Sequence, residues 1–322
     1  MDIVLTESQQ MLKQSARAFL QEMCPRNVVS TMQTDARGYP PELWQRMAEL
    51  GWLAWPFPSR YGGSDGDFFD LALLVEELGN AAAPIPFFSS IVEAGLLLME
   101  AGTEAQKQAL LPRLASGQAL FAVAYLEADG DPTGPGRGTE AMADGANFRL
   151  SGSKCFVPNA HVAEQVLCVA RTQPGSSAAH GLSLFCLSLT APSIGLRPMT
   201  TVPGDKQFEV TYNNTTVTHE ALIGRLHGAS LPLQRTLLQA TALKCAEMVG
   251  GAQAALDLTP ACIAISKWDD CSPITPVGCC HKASTPGLRC HRPNLSSAVS
   301  TRRSLDSRIR SRAESGTIRN IH

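Results

Sequence analysis

Apolar positions along the first 118 residues recur with the period of a helix. Thr6 and Gln9 form a capping box ahead of the stripe Leu12, Ala16, Phe19, Leu20 and Met23, which Pro25 ends. Pro41 suits a first helical turn and opens a second helix through Leu43, Met47 and Leu50 to Gly51. A third is predicted from Asp67 through Leu71, Leu74, Val75 and Leu78 to Gly79, and a fourth from Ser90 to Met99, stopped by Gly102. Thr103 and Gln106 make another capping box, leading Leu110, Leu111 and Leu114 to Gly117. Five amphipathic helices with short links predict a bundle.

From Ala119 the period falls to two. Phe121, Val123 and Tyr125 alternate, as do Phe148 and Leu150, and Val166–Val169 is a short apolar run. Leu182 to Leu189 follow, then Phe208, Val210 and Tyr212, an expected turn at Asn213-Asn214, and Val217. Gly, Pro and Asn separate these segments, so antiparallel strands in a barrel-like sheet are predicted over 119–224. Residues 231–259 return to helical pattern, giving an α+β multidomain chain in α–β–α order.

Beyond Thr259 no apolar stripe continues. Residues 260–322 hold ten of the 27 Lys and Arg, four of the 29 Asp and Glu, and five of the ten Cys. Residues 1–259 therefore carry −8 and the remainder +6, so two kinds of sequence meet near residue 260. The tail reads as disordered, and as translation out of frame or a junction with unrelated sequence. Over all 322 residues, 44% hydrophobic and 17% charged positions exclude global disorder. A net charge of −2 argues against a protein that coats phosphate backbones. No apolar run is long enough to span a bilayer, and MDIVLTESQQ fits no leader, so the expected address is cytoplasmic.

Several segments together resemble the acyl-CoA dehydrogenase family over about residues 3–259. They are Glu49-Leu50-Gly51-Trp52, Tyr61-Gly62-Gly63, Glu76-Glu77-Leu78-Gly79, and Gly102-Thr103-Glu104-Ala105-Gln106-Lys107 before Leu111-Pro112. Leu150 to Ala160 (LSGSKCFVPNA), Gly181-Leu182-Ser183-Leu184-Phe185 and Ala221-Leu222-Ile223-Gly224 continue the series. The domains so implied are 1–118 (helical), 119–224 (β, with flavin contacts), 225–259 (start of a second helical domain) and the aberrant tail 260–322.

The resemblance implies a subunit that binds FAD and oxidises the Cα–Cβ bond of an acyl-CoA, in a homo- or hetero-oligomer. The implied flavin contacts are Tyr125, Leu126 and Glu127 on one stretch and Phe156, Val157 and Pro158 on another, with Pro132 beside the substrate. Leu126 stands where the family usually has Thr, and Asp131-Pro132 where it has Gly-Ser. Pro158 replaces a hydroxyl residue and removes a backbone donor as well. The Arg-x-x-Phe-Gly stretch and catalytic glutamate implied after Thr259 do not occur in 260–322, and Glu314 sits in polar surroundings unsuited to a base. No catalytic residue is assigned, and a non-catalytic partner subunit is the alternative.

Bland readings are favoured elsewhere. Gly130–Gly138 lacks the strand–glycine–helix context of a dinucleotide cradle and reads as a loop. Cys279, Cys280, His281, Cys290 and His291 lack zinc spacing, so no metal is expected. The arginines between 302 and 312 read as a solvated tail and not as a nucleic-acid surface, and His161 as structural.

Overall fold

A computed structural model describes residues 5–128, 138–173, 180–201 and 205–270, the last eleven of these as backbone only. The helical region contains α1 (Glu7–Met23), α2 (Arg26–Thr34), α3 (Pro41–Glu49), α4 (Phe68–Asn80), α5 (Leu96–Ala101) and α6 (Glu104–Ala115). Both predicted capping boxes form, Thr6 with Gln9 and Thr103 with Gln106, and Asp67 caps α4 through its side chain. Helix α2 was not predicted: its nine residues bury no side chain, so no apolar stripe betrays it. The expected helix Ser90–Met99 differs in kind. Phe88–Gly95 is π-helical and passes into α5.

The strands are β1 (Phe121–Ala124), β2 (Glu140–Asp144), β3 (Asn147–Pro158), β4 (Gln165–Arg171), β5 (Leu182–Ser188), β6 (Ile194–Met199), β7 (Gln207–Thr218) and β8 (Leu222–Ile223). They form one sheet in the order β6-β7-β3-β2-β4-β5-β8, with β1 beside β4. Two features correct the sequence reading. The sheet is mixed, because β1 runs parallel to β4, and it is open, ending at β6 and β8, so it is not a barrel. Nor is Asn213-Asn214 a hairpin turn. It lies within continuous β7 as a bulge, two residues facing Ser151 alone, with Asn214 at φ 51°.

Strand β4 shows why Val166–Val169 reads as an unbroken apolar run. Leu167 and Val169 face the helices, in one core with Phe121, Val123 and Leu184. Val166, Cys168 and Ala170 face a second core with Leu150, Phe185, Val210 and Tyr212. A strand buried on both faces has no polar side to alternate with. The second core includes an edge-on Phe148–Phe185 pair at 5.3 Å.

Helix α7 (Ser230–Asp270) continues past the predicted edge at residue 259, so 260–270 are helical backbone and not irregular chain. The remaining tail, 271–322, lies outside the described residues. Met1–Ile265 forms one compact unit; of the second, Ser266–His322, only the helical backbone to Asp270 is described. Leu233, Ala240 and Leu243 insert α7 into the helical core. Further along, α7 meets α4 backbone to backbone. A Cβ on Gly250 would stand 1.8 Å from the Glu76 carbonyl oxygen, and one on Gly79 2.0 Å from that of Glu247. Asn80 Nδ2 donates to the Gly250 carbonyl at 3.2 Å in the same crossing. No described helix is long and apolar enough to cross a membrane.

Candidate functional site

The two stretches singled out in the sequence, 125–127 and 156–158, are brought side by side. The Cys155 N–H donates to the Leu126 carbonyl at 2.9 Å, and Lys154 Nζ donates to the Tyr125 carbonyl at 3.3 Å. Lys154 also donates to Glu127 Oε1 at 2.7 Å and is fully buried. Glu127 further accepts from the Gly138 N–H (2.6 Å) and the Thr139 N–H (3.0 Å). Burial would raise the Glu127 carboxyl; the Lys154 charge and these hydrogen bonds outweigh it and hold it below the usual value. The Glu127 side chain is thus a clamp turned inward.

Gly152 completes the clamp. Its φ of 136° and the 2.6 Å from a built Cβ to Thr139 Cα admit no side chain where β3 crosses Thr139. Two residues later β3 bulges: Cys155 and Phe156 together face Glu209 alone, and Phe156 takes φ 53°. The extra residue turns Phe156 outward, 53% exposed, while Cys155 and Val157 on either side are buried. A left-handed non-glycine residue costs on the order of 1 kcal/mol, and such strain concentrates where a side chain must be aimed. Met199 lies beside it, its Sδ 3.4 Å from the Phe156 N–H. Pro158 is half-buried and pairs in register with Gln207, and Leu126 is half-buried. Pro132 lies outside the described residues.

The site is bolted to the helices from beneath. The Phe121 N–H donates to Ser90 Oγ at 3.0 Å, and Asn159 Nδ2 to Ser89 Oγ at 3.1 Å, so the π-helix is tied to the strand that leads into 125–127 and to the residue after Pro158. His161 has the structural role expected: its Nε2 is 3.0 Å from the Arg37 carbonyl and its ring stacks on Phe208 at 4.7 Å. Tyr61 is likewise structural, hydrogen-bonded to Glu104. Among the described residues no group of His, Cys, Asp or Glu could hold a metal; the tail cysteines and histidines lie outside them.

Sequence reasoning passed over Glu93. It sits on the π-helix with one carboxyl oxygen, Oε2, buried and without a hydrogen bond. Burial pushes its carboxyl up to about 7, against a smaller opposing effect of Lys244. Burial, with the nearby Glu93 charge adding to it, raises Tyr125 to about 12. The available signal was a lone acid in the run Phe87–Met99.

Phe156 thus stands exposed on a strained bulge, beside two hydrogen-bonded stretches of an α+β fold. Residues 6–118 match the family model of the acyl-CoA dehydrogenase N-terminal domain. The chain is 31% identical over 208 residues to a probable acyl-CoA dehydrogenase, YngJ, of Bacillus subtilis (strain 168), covering 64% of this chain and 53% of that one. It is 28% identical over 254 residues to acyl-CoA dehydrogenase FadE12 of Mycobacterium tuberculosis (strain ATCC 25618 / H37Rv), covering 78% and 64%. Butyryl-CoA dehydrogenase from Megasphaera elsdenii superposes with a TM-score of 0.70 at 26% identity, over 80% of this chain and 69% of the other. Residues 6–118 thus carry an acyl-CoA dehydrogenase N-terminal domain, and the chain is similar to acyl-CoA dehydrogenases beyond it. It spans between half and two thirds of the length of these two curated relatives.

Proposed function

We propose that this chain binds FAD at the seam of 125–127 and 156–158 and takes part in oxidising the Cα–Cβ bond of an acyl-CoA thioester. The observation that carries the reading is the outward ring of Phe156 on its bulge, next to a backbone held rigid by Lys154 and Glu127. FAD, when bound, supplies the electron acceptor. Phe156 offers an apolar face for the ring system, and the backbone of Tyr125–Glu127 offers polar groups to its edge. Pro158 offers no N–H, so tuning by a donor at that position is lost.

Removal of the α-proton needs a base within hydrogen-bond reach of it. The family-type glutamate does not occur in 260–322, so no base is assigned among these residues. The isolated chain is expected to show no acyl-CoA turnover, even with FAD bound. Absorbance near about 450 nm after purification tests the flavin part, and a folded protein that takes up no FAD on reconstitution would contradict it.

A second reading, a subunit completed by a related chain, draws on α7. Leu238, Met248, Val249 and Leu256 are all more than half exposed along it, an apolar surface of the kind that a partner covers. A similar structure, the Tcur3481-Tcur3483 steroid ACAD, carries two protein names (26% identity, TM-score 0.72, 85% of this chain and 71% of that one). Copurification with a related chain that supplies a carboxylate is the outcome expected of this reading.

A further inference from the structure

The stretch Phe156–Pro158 is bracketed by two left-handed residues that are not glycine, Phe156 at φ 53° and Asn159 at φ 57°. Asparagine tolerates this conformation better than most residues, so the turn after Pro158 is written into the sequence. The Asn159 backbone is held beside β7. Its N–H donates to the Lys206 carbonyl at 2.9 Å, and its carbonyl accepts from the Val162 and Ala163 N–H groups, both at 3.2 Å. The side chain reaches the other way. Nδ2 donates to Ser89 Oγ at 3.1 Å, and Ser89, buried on the π-helix, donates in turn to the Pro86 carbonyl at 3.3 Å. A chain of hydrogen bonds thus runs from the residue after Pro158 into the helical region.

Neither element needs this chain in order to form. Val157 and Pro158 already pair in register with Phe208 and Gln207, and the Pro86 carbonyl also accepts from the Ser90 N–H at 3.0 Å. What the Asn159–Ser89 bond adds is the placement of Phe156–Pro158 against the π-helix. A binding surface keeps its geometry only when the residues that present it are locked by bonds beneath them. We propose that Asn159 is a positioning residue for FAD: through Ser89 it sets Phe156–Pro158, and with them the Phe156 ring, against the helices. This rests on the flavin reading above and adds to that site a residue outside its two stretches.

The test is a double-mutant cycle on the full chain, reading the FAD dissociation constant and the visible absorption band of the bound flavin. Asn159→Gly keeps the left-handed backbone and removes the donor, and Ser89→Ala removes the acceptor. Each should weaken FAD binding about fivefold, and the double variant should be no weaker than the single ones, because the two side chains act as one bond. The absorption band should shift in the same direction in all three. Arg113→Met breaks a different tie between helix and sheet, the 2.8 Å pair with Glu164, and should leave both readouts unchanged. Wild-type affinity and spectrum in either single variant, losses that add in the double, or an equal effect of Arg113→Met would overturn the role of Asn159 and leave the flavin reading standing. A folded wild-type chain that takes up no FAD overturns both.

Discussion

The clamp between 125–127 and 154–156 and the seam along α7 are both buried and polar, but they are finished to different degrees. In the clamp, Lys154 and Glu127 share a short ion pair, and the Gly138 and Thr139 amides fill the remaining carboxylate sites. Along α7 and the π-helix, Glu93, Ser230, Thr236 and Gln239 each leave a buried oxygen without a partner. The outer face of the same helix exposes Leu238 and Met248, each about two thirds accessible at 67%. The first region is closed by its own hydrogen bonds, and the second is not.

The sharpest way to break this contrast is to unbalance the clamp. Lys154→Met strands the Glu127 charge, and the expected loss is about 3–5 kcal/mol in urea unfolding. Adding Glu127→Gln should recover much of it, because no buried charge then remains. A loss below about 1 kcal/mol for the single change would show that the pair is not essential to the seam.

The π-helix should answer to pH in the opposite sense to a stabilised carboxylate. Glu93 rises from 4.5 to about 7 in the folded chain, so between those values the folded state holds more protons than the unfolded one. Stability contributed by the protonated group is full below about 4.5 and is lost as pH rises toward and through 7, by at most about 3 kcal/mol at 1.36 kcal/mol per unit. Subtracting the curve of Glu93→Gln from that of the wild type isolates this loss. A flat difference between pH 5 and 8 would show that burial of Oε2 does not raise the Glu93 carboxyl.

Next in size is the α4–α7 crossing. Gly250→Ala places a methyl 1.8 Å from the Glu76 carbonyl oxygen, so the backbones must part at a cost of about 1–3 kcal/mol. Faster amide exchange confined to the second half of described α7 is the expected signature, and uniform protection would contradict it.

How far the sequence carried this picture depends on the kind of signal each element left. Capped, amphipathic helices such as α1 and α6 were legible to within a residue or two, because Thr6 and Thr103 announce them chemically. Helix α2 was silent for want of a buried face. The parallel pairing of β1 with β4 was hidden too, since a doubly buried strand has the same composition in either direction. Asn213-Asn214 reads as a turn by residue type, but its register against β3 makes it a bulge. At the site, aromatic Phe156 was visible, whereas its outward aim depends on a bulge that only the pairing of β3 with β7 creates. Glu93 was overlooked because a single acid in an apolar helix becomes notable only once its oxygen is found without a donor.

The smallest expected effect on stability bears most directly on the central claim. Phe156→Ala removes a side chain that is already more than half in solvent, so unfolding should shift by less than about 0.5 kcal/mol. Flavin retention should nevertheless fall, because the variant loses aromatic contact area against the ring system. The decisive measurement is the ratio of FAD to protein in the wild-type chain and in Phe156→Ala, purified and reconstituted side by side. Bound flavin is expected in the wild type and a clear reduction in an equally folded variant; equal flavin content in both, or none in either, would rule out Phe156 as a flavin contact.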